Sequence, residues 1–288
     1  VYKKLTQIFK TMNNILVATD FSESSKNATE YAIQLATRAY SEITLFHVAT
    51  LQVIDPVAPA FYLDTLIQEK KKDSINQLEL VKSTMQQVLY PDNGSLKVHT
   101  KTAIGIPSSE ISEMSSDSSV DLIVVGAKKG DFWARLTGST VVDLLNFVDK
   151  PLLVVPEKAR FEKINSIVVA TNLEEGDTEF IKSVIAFAKT FNAHVLILHV
   201  NEVASEEDEE HFKILKKKII TDLEYGKVHF EIIRLKDSSR IIDLISEMDN
   251  ADLLALRKVE RGFVAELFHS SMTKDKIYNT KIPLLIYH

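Results

Sequence analysis

The chain repeats itself. Ile15-Leu16-Val17-Ala18-Thr19-Asp20 returns as Ile167-Val168-Val169-Ala170-Thr171-Asn172, 152 residues further on. At the same spacing Leu45-Phe46-His47-Val48 returns as Ile197-Leu198-His199-Val200. Asp121-Leu122-Ile123-Val124-Val125 is answered by Asp252-Leu253-Leu254-Ala255-Leu256 at 131 residues, and Lys150-Pro151-Leu152-Leu153-Val154 by Ile282-Pro283-Leu284-Leu285-Ile286. The fall from 152 to 131 leaves the middle of the second half 21 residues shorter. Because the order of the matching segments is kept, the pattern is a duplication, and a duplicated sequence builds one architecture twice. At 288 residues the chain is long enough for two domains of ordinary size.

Each half alternates strand-like and helix-like segments. The apolar runs are short, continuous and β-branched, as in strands buried on both faces of a parallel sheet. Between them Ala28, Tyr31, Ala32, Leu35, Ala36 and Ala39 fall on one face of a 3.6-residue period, and Phe180, Val184, Phe187, Ala188 and Phe191 repeat that face. Ser22, Ser24 and Ser25 stand where a helix N-cap is wanted. The alternation predicts an α/β protein of two tandem doubly wound, Rossmann-like domains, each a mostly parallel five-stranded sheet flanked by helices. Residues 1–11 read as an extension, 12–156 as the first domain and 163–288 as the second, with Pro156 to Glu162 as linker. Ligands of such sheets bind beyond the carboxyl ends of the strands, which directs attention to Thr19-Asp20 and to Gly126.

Composition narrows the function classes. The net charge of -6 argues against a general affinity for nucleic acid or anionic membrane. There is no cysteine, which removes disulfides and thiolate metal sites and fits a cytoplasmic setting. No apolar run reaches the roughly 18 residues of a membrane span, and the N-terminal segment has no apolar signal core.

The chemistry-bearing constellation is Gly126-Ala127-Lys128-Lys129-Gly130, followed by Gly138-Ser139-Thr140 before a helical run from Val141 to Phe147. Glycines between a strand and a helix let backbone N–H groups approach a phosphate, and the free amides of the helix start favour an anion. Ser139 and Thr140 would add hydroxyl donors. Spacing alone leaves a second reading open, in which the glycines serve turn geometry and Ser139 is an N-cap. No G-x-x-x-x-G-K-[ST] or G-x-G-x-x-G motif is present, and no nucleophile stands beside a base, so an enzyme is not expected beyond slow incidental ATP hydrolysis.

The start Ile15-Leu16-Val17-Ala18-Thr19-Asp20-Phe21-Ser22, the Leu45-Phe46-His47-Val48 strand, the Asp121 to Gly126 strand and Gly138-Ser139 before a helix together resemble the universal stress protein family. The resemblance covers both halves, so the chain looks like a tandem member. It implies ATP, with magnesium bridging the phosphates, in those members that carry G-x2-G-x9-G-[ST] after the fourth strand and an aspartate after the first. Carried over, Thr19 and Asp20 would meet the adenosine end and the backbone of Ile43 the adenine edge. Gly126, Lys129 and Gly130 would follow the ribose and phosphates, with Gly138, Ser139 and Thr140 at the phosphates. The loop departs from that pattern: Lys129 stands at the second glycine, and Gly138 follows Gly126 by 12 residues rather than one more. In the second half Asp20 becomes Asn172, Gly126 becomes Arg257 and Gly138 becomes His269, while Ser270 survives. Side chains there stand where a backbone would have to meet a ligand.

The implied function is a cytoplasmic stress-response regulator that binds an adenine nucleotide in its first domain, the second pairing with it as a pseudo-symmetric partner. Assembly of two chains into a homodimer stays open. The alternative is a ligand-free interaction scaffold in which both sites have decayed. His47 and His199, each inside an apolar run, read as satisfied core histidines, and Glu206 to Glu210 followed by Lys216 to Lys218 as a solvated helix face. Leu51 to Leu66, within the stretch that the second half shortens, reads as chain packing, a lid or a subunit contact.

Overall fold

The computed structural model describes residues 12–51, 60–89, 96–127, 140–174, 176–201, 206–234, 251–258 and 281–288. Contacts divide it into two compact units, one of Asn13–Pro151 and one that takes in Leu152–His288.

In the first unit the elements run β1 (Asn14–Ala18), α1 (Glu23–Ala39), β2 (Glu42–Ala49), α2 (Ala60–Leu89), β3 (Val98–Ile104), α3 (Pro107–Ser115), β4 (Leu122–Ala127) and α4 (Thr140–Phe147). The strand order is β3-β2-β1-β4 with every pair parallel. Ile15, Leu16 and Val17 of the central strand are wholly buried, which is why the run is continuous rather than alternating. Helix α1 starts where expected. Ser22 is its N-cap and accepts from the Ser25 amide at 3.3 Å, and Glu23 and Arg38 suit the two ends of the helix dipole. It buries Ala28, Tyr31, Ala32, Leu35 and Ala36, and ends on Tyr40 at φ 56°.

The second unit runs β5 (Leu152–Pro156), β6 (Ser166–Thr171), α5 (Asp177–Phe191), β7 (His194–Asn201), α6 (Glu206–Asp222), β8 (Val228–Arg234), β9 (Leu253–Arg257) and β10 (Leu284–Tyr287). Its order is β5-β10-β9-β6-β7-β8, parallel except that β5 pairs antiparallel with β10. By its contacts the strand expected to close the first sheet falls with the second unit. Its antiparallel pairing with β10 is a preference that the periodicity of Leu152 to Pro156 does not contain. The Glu206 to Lys218 segment is helical with exposed charges, and Phe212, Leu215 and Ile219 are buried. No helix among the described residues is long and apolar enough to cross a membrane.

The repeat is preserved bond by bond. Asp121 takes the amides of Asn13 and Asn14, and Asp252 those of Asn165 and Ser166. Phe21 and Leu173 both turn at φ 64°, each donating its amide to a threonine hydroxyl, Thr19 or Thr171, at 3.1 Å. Tyr40 and Asn192 end their helices at the same φ of 56°. A non-glycine residue is uncommon at positive φ, so a shared pair of such positions reports a shared chain path.

Candidate functional site

At the carboxyl rim of the first unit, β1 hands over to α1 through Thr19, Asp20, Phe21 and Ser22. The Thr19 amide donates to Phe46 O at 2.9 Å, extending the ladder by one residue, and its buried hydroxyl lies 3.1 Å from Ser25 Oγ. The turn at Phe21 lays its ring on His47, with centroids 4.3 Å apart. His47 Nδ1 donates to Thr19 O at 2.8 Å, and the matching His199 Nδ1 donates to Thr171 O at 2.9 Å. Both histidines are thus tied to the backbone of the adjacent strand. His199 Nε2 is buried without a partner among the described residues, as is Thr102 Oγ1, on the strand row of His47.

Asp20 is exposed, and its Oδ1 accepts from the Ser22 amide at 3.0 Å and the Ser22 hydroxyl at 2.5 Å. Partial burial pushes its carboxyl up. Hydrogen bonds from the Ser22 and Ser25 side chains and the Ser22 backbone outweigh that push and hold it below the ordinary aspartate value. The group is a fixed anion and acceptor at the rim, suited to hydroxyl or amino donors of a ligand.

Gly126 has a more specific reason to be glycine than the sequence suggested. A Cβ there would lie 2.4 Å from Ser24 O and 2.8 Å from Ser25 N. The close approach read as a phosphate's is made by the first turn of α1, pressed onto the end of β4. Thr19, Asp20 and Gly126 are therefore brought together through Ser24 and Ser25. Ile43 is not. It lies near the amino end of β2, in register with Ile15, and its amide is used on Lys97 O. Phe46 is the residue level with Ala18, and three residues of strand place Ile43 about 10 Å from that row. In a parallel strand the backbone that reaches the ligand end is its last part, Val48 and Ala49, so the assignment of the adenine edge to Ile43 fails. Lys129, Gly130, Gly138 and Ser139 lie outside the described residues, as do Trp133, His269 and Ser270. Thr140 opens α4, and its side chain is not described.

The second unit shows what the same junction becomes when the glycine is lost. Arg257 takes the place of Gly126, and its Nε donates to Asp177 Oδ1 at 2.5 Å while Nη2 reaches Glu174 Oε2 at 3.3 Å. Asp177 and Glu174 stand 152 residues after Ser25 and Ser22. Asp177, only 4% exposed, also accepts from the Thr171 hydroxyl and the Glu174 amide. Gly176, at φ 94°, precedes it, and a Cβ there would sit 3.3 Å from the guanidinium. The ion pair was not foreseen. Its signal is in the sequence nonetheless: two serines turn acidic at the positions facing the one glycine that turns basic.

These features define an α/β domain of the Rossmann-like kind with its polar groups gathered at the carboxyl rim. The profile of the universal stress protein family matches residues 11–156, and the chain belongs to that family. It is similar to the universal stress protein MJ0577 of Methanocaldococcus jannaschii, 28% identical over 153 residues covering 50% of this chain and 94% of that protein. The universal stress protein YxiE of Bacillus subtilis is 28% identical over 123 residues, 40% of this chain and 79% of its own. A universal stress protein structure from Archaeoglobus fulgidus covers 97% of both chains with a TM-score of 0.68 at 18% identity, a likeness of fold.

Proposed function

We propose that the protein binds an adenine nucleotide, ATP with magnesium bridging its phosphates, at the carboxyl rim of the first unit. It acts as a cytoplasmic regulator in the stress response, and the second unit is its nucleotide-free pseudo-symmetric partner. One observation carries the reading: the rim of the first unit leaves Asp20 exposed beside the Ser22 hydroxyl and amide, while the corresponding place in the second is filled by Arg257 and its two acids. A guanidinium already paired with carboxylates leaves neither space nor uncompensated charge for a ligand, whereas the first rim presents Asp20 exposed and oriented. Thr19 and Asp20 would hold the adenosine end. Gly126 would admit the helix that carries Ser24 and Ser25, and Lys129, Gly130, Gly138, Ser139 and Thr140 would meet the phosphates. When bound, the nucleotide supplies an anion and a purine to be sensed; no bond-making step is assigned to the site.

Titration with Mg-ATP tests this, read by the fluorescence of Trp133, the sole tryptophan. A saturable change that Asp20→Ala removes and Asn172→Ala leaves intact is the expected result. No response at millimolar ATP would favour a ligand-free scaffold, a reading that the shortened spacing between Gly126 and Gly138 supports.

A further inference from the structure

Helix α2 is longer than the sheet it covers. It joins the carboxyl end of β2 to the amino end of β3, so it runs back against the strands, packing on both. The Thr100 hydroxyl donates to Glu79 at 2.7 Å, which fixes the level of the helix on the sheet. From Thr100 to the last residue of β3, Ile104, is about 13 Å of strand. At about 1.5 Å per residue the helix covers that distance in roughly nine residues, which brings it to the neighbourhood of Lys70. Everything from Ala60 to there stands past the carboxyl rim.

That overhang carries five large apolar side chains among exposed polar ones. Phe61 is 74% exposed and Tyr62 49%, and Leu63, Leu66 and Ile67 are half-buried. The first wholly buried side chain of α2 is Ser74, whereas in α6 Phe212 is buried six residues after the helix begins at Glu206. Tyr62, Leu63, Leu66 and Ile67 share one side of the helix and Phe61 lies on another, so the apolar face is well short of the about 800 Å² per partner that a stable protein–protein contact needs. The patch is the wrong size for a second copy and the right place for the rim. Among the described residues the second unit shows no counterpart: its α6 opens on the exposed acids Glu206, Glu209 and Glu210, and Arg257 fills the rim there.

We propose that the amino half of α2 is the apolar wall of the first unit's nucleotide site, with Leu63, Leu66 and Ile67 packing against the purine. The inference rests on the nucleotide reading above, and adds to it which face of the ligand is covered and by what. Loss of the wall and loss of the junction in the second unit then have one cause: with no base to cover, the overhang has no use.

The test is calorimetric titration of the full chain and of its Leu63→Ser/Leu66→Ser/Ile67→Ser variant with Mg-ATP and with inorganic tripolyphosphate. ATP affinity falls at least tenfold in the variant, with tripolyphosphate binding and melting temperature unchanged. ATP affinity within twofold of the unaltered chain overturns the wall and leaves the nucleotide reading standing. Equal losses for ATP and tripolyphosphate overturn it also, because the variant would then have disturbed the whole rim. No ATP binding by the unaltered chain sinks the nucleotide reading and this inference with it. Should the triple substitution cost the fold, Leu66→Glu alone carries the same comparison.

Discussion

In the first unit the end of β4 meets α1 through Gly126 against the backbone of Ser24 and Ser25; in the second, the same meeting point is Arg257 between Asp177 and Glu174. The strands, the left-handed turns at Phe21 and Leu173 and the threonine that pins each turn are held in common. Apart from the shortened middle, the change that bears on a ligand falls at the few positions where helix, strand and ligand would compete for one space. The second copy did not simply lose its glycine: it replaced neutral packing with a charged cluster in which the buried Asp177 relies on Arg257, with the exposed Glu174 beside them.

The sharpest way to break this comparison is to remove the arginine. Arg257→Ala leaves Asp177 buried without its cation, and uncompensated buried charge of this kind costs about 3–5 kcal/mol. Denaturant melts should show that loss, and adding Asp177→Ala should recover part of it; a loss below about 1 kcal/mol would mean that the triad is ornamental. Next in size is ligand linkage. Mg-ATP at about 100 times its dissociation constant should raise stability by roughly 2.7 kcal/mol, equally in the unaltered chain and in Asn172→Ala, but not in Asp20→Ala. A smaller change is expected from Gly126→Ala, whose methyl group meets the Ser24 backbone at 2.4 Å. Overpacking of this sort costs about 1–3 kcal/mol, and a melt unchanged from the unaltered chain would show that α1 moves aside freely.

The smallest effect concerns acid. Hydrogen bonds hold the folded-state value of Asp20 below that of the unfolded chain, so its contribution is complete above the unfolded value and is lost as pH falls through the folded one. Asp20→Asn should flatten the acid limb of stability, between about pH 2 and 5. Asn172 shows the second unit already living without that titration. An acid limb of undiminished slope in the variant would assign the dependence to other carboxylates.

Much of this was legible in the residues. The offset of 152 residues located β1, β2, α1 and their counterparts, because buried parallel strands and the helix facing them write strong periodicities. His47 and His199 read as satisfied core histidines from their apolar neighbours, and each is tied to a backbone carbonyl, but His47 is only half-buried and His199 Nε2 has no partner among the described residues. Ile43 was misplaced because a motif marks which strand supplies a backbone group and not which end of it. The pairing of β5 with β10 was invisible, since a run such as Leu152 to Pro156 looks alike whichever neighbour its amides find. The length of α2 was only half visible: Pro56, Pro59 and the apolar residues after them marked a special segment, but the level of the helix needed the bond between Thr100 and Glu79.

The register of that late pairing, Val154 with Leu284, Leu153 with Leu285 and Leu152 with Ile286, has a consequence for how the chain comes off the ribosome. A strand synthesised near the midpoint finds this partner only when the most downstream of the described strands emerges. Until then Leu152 to Val154 offer an open, oily ladder of amides, the kind of edge on which nascent chains stick to one another.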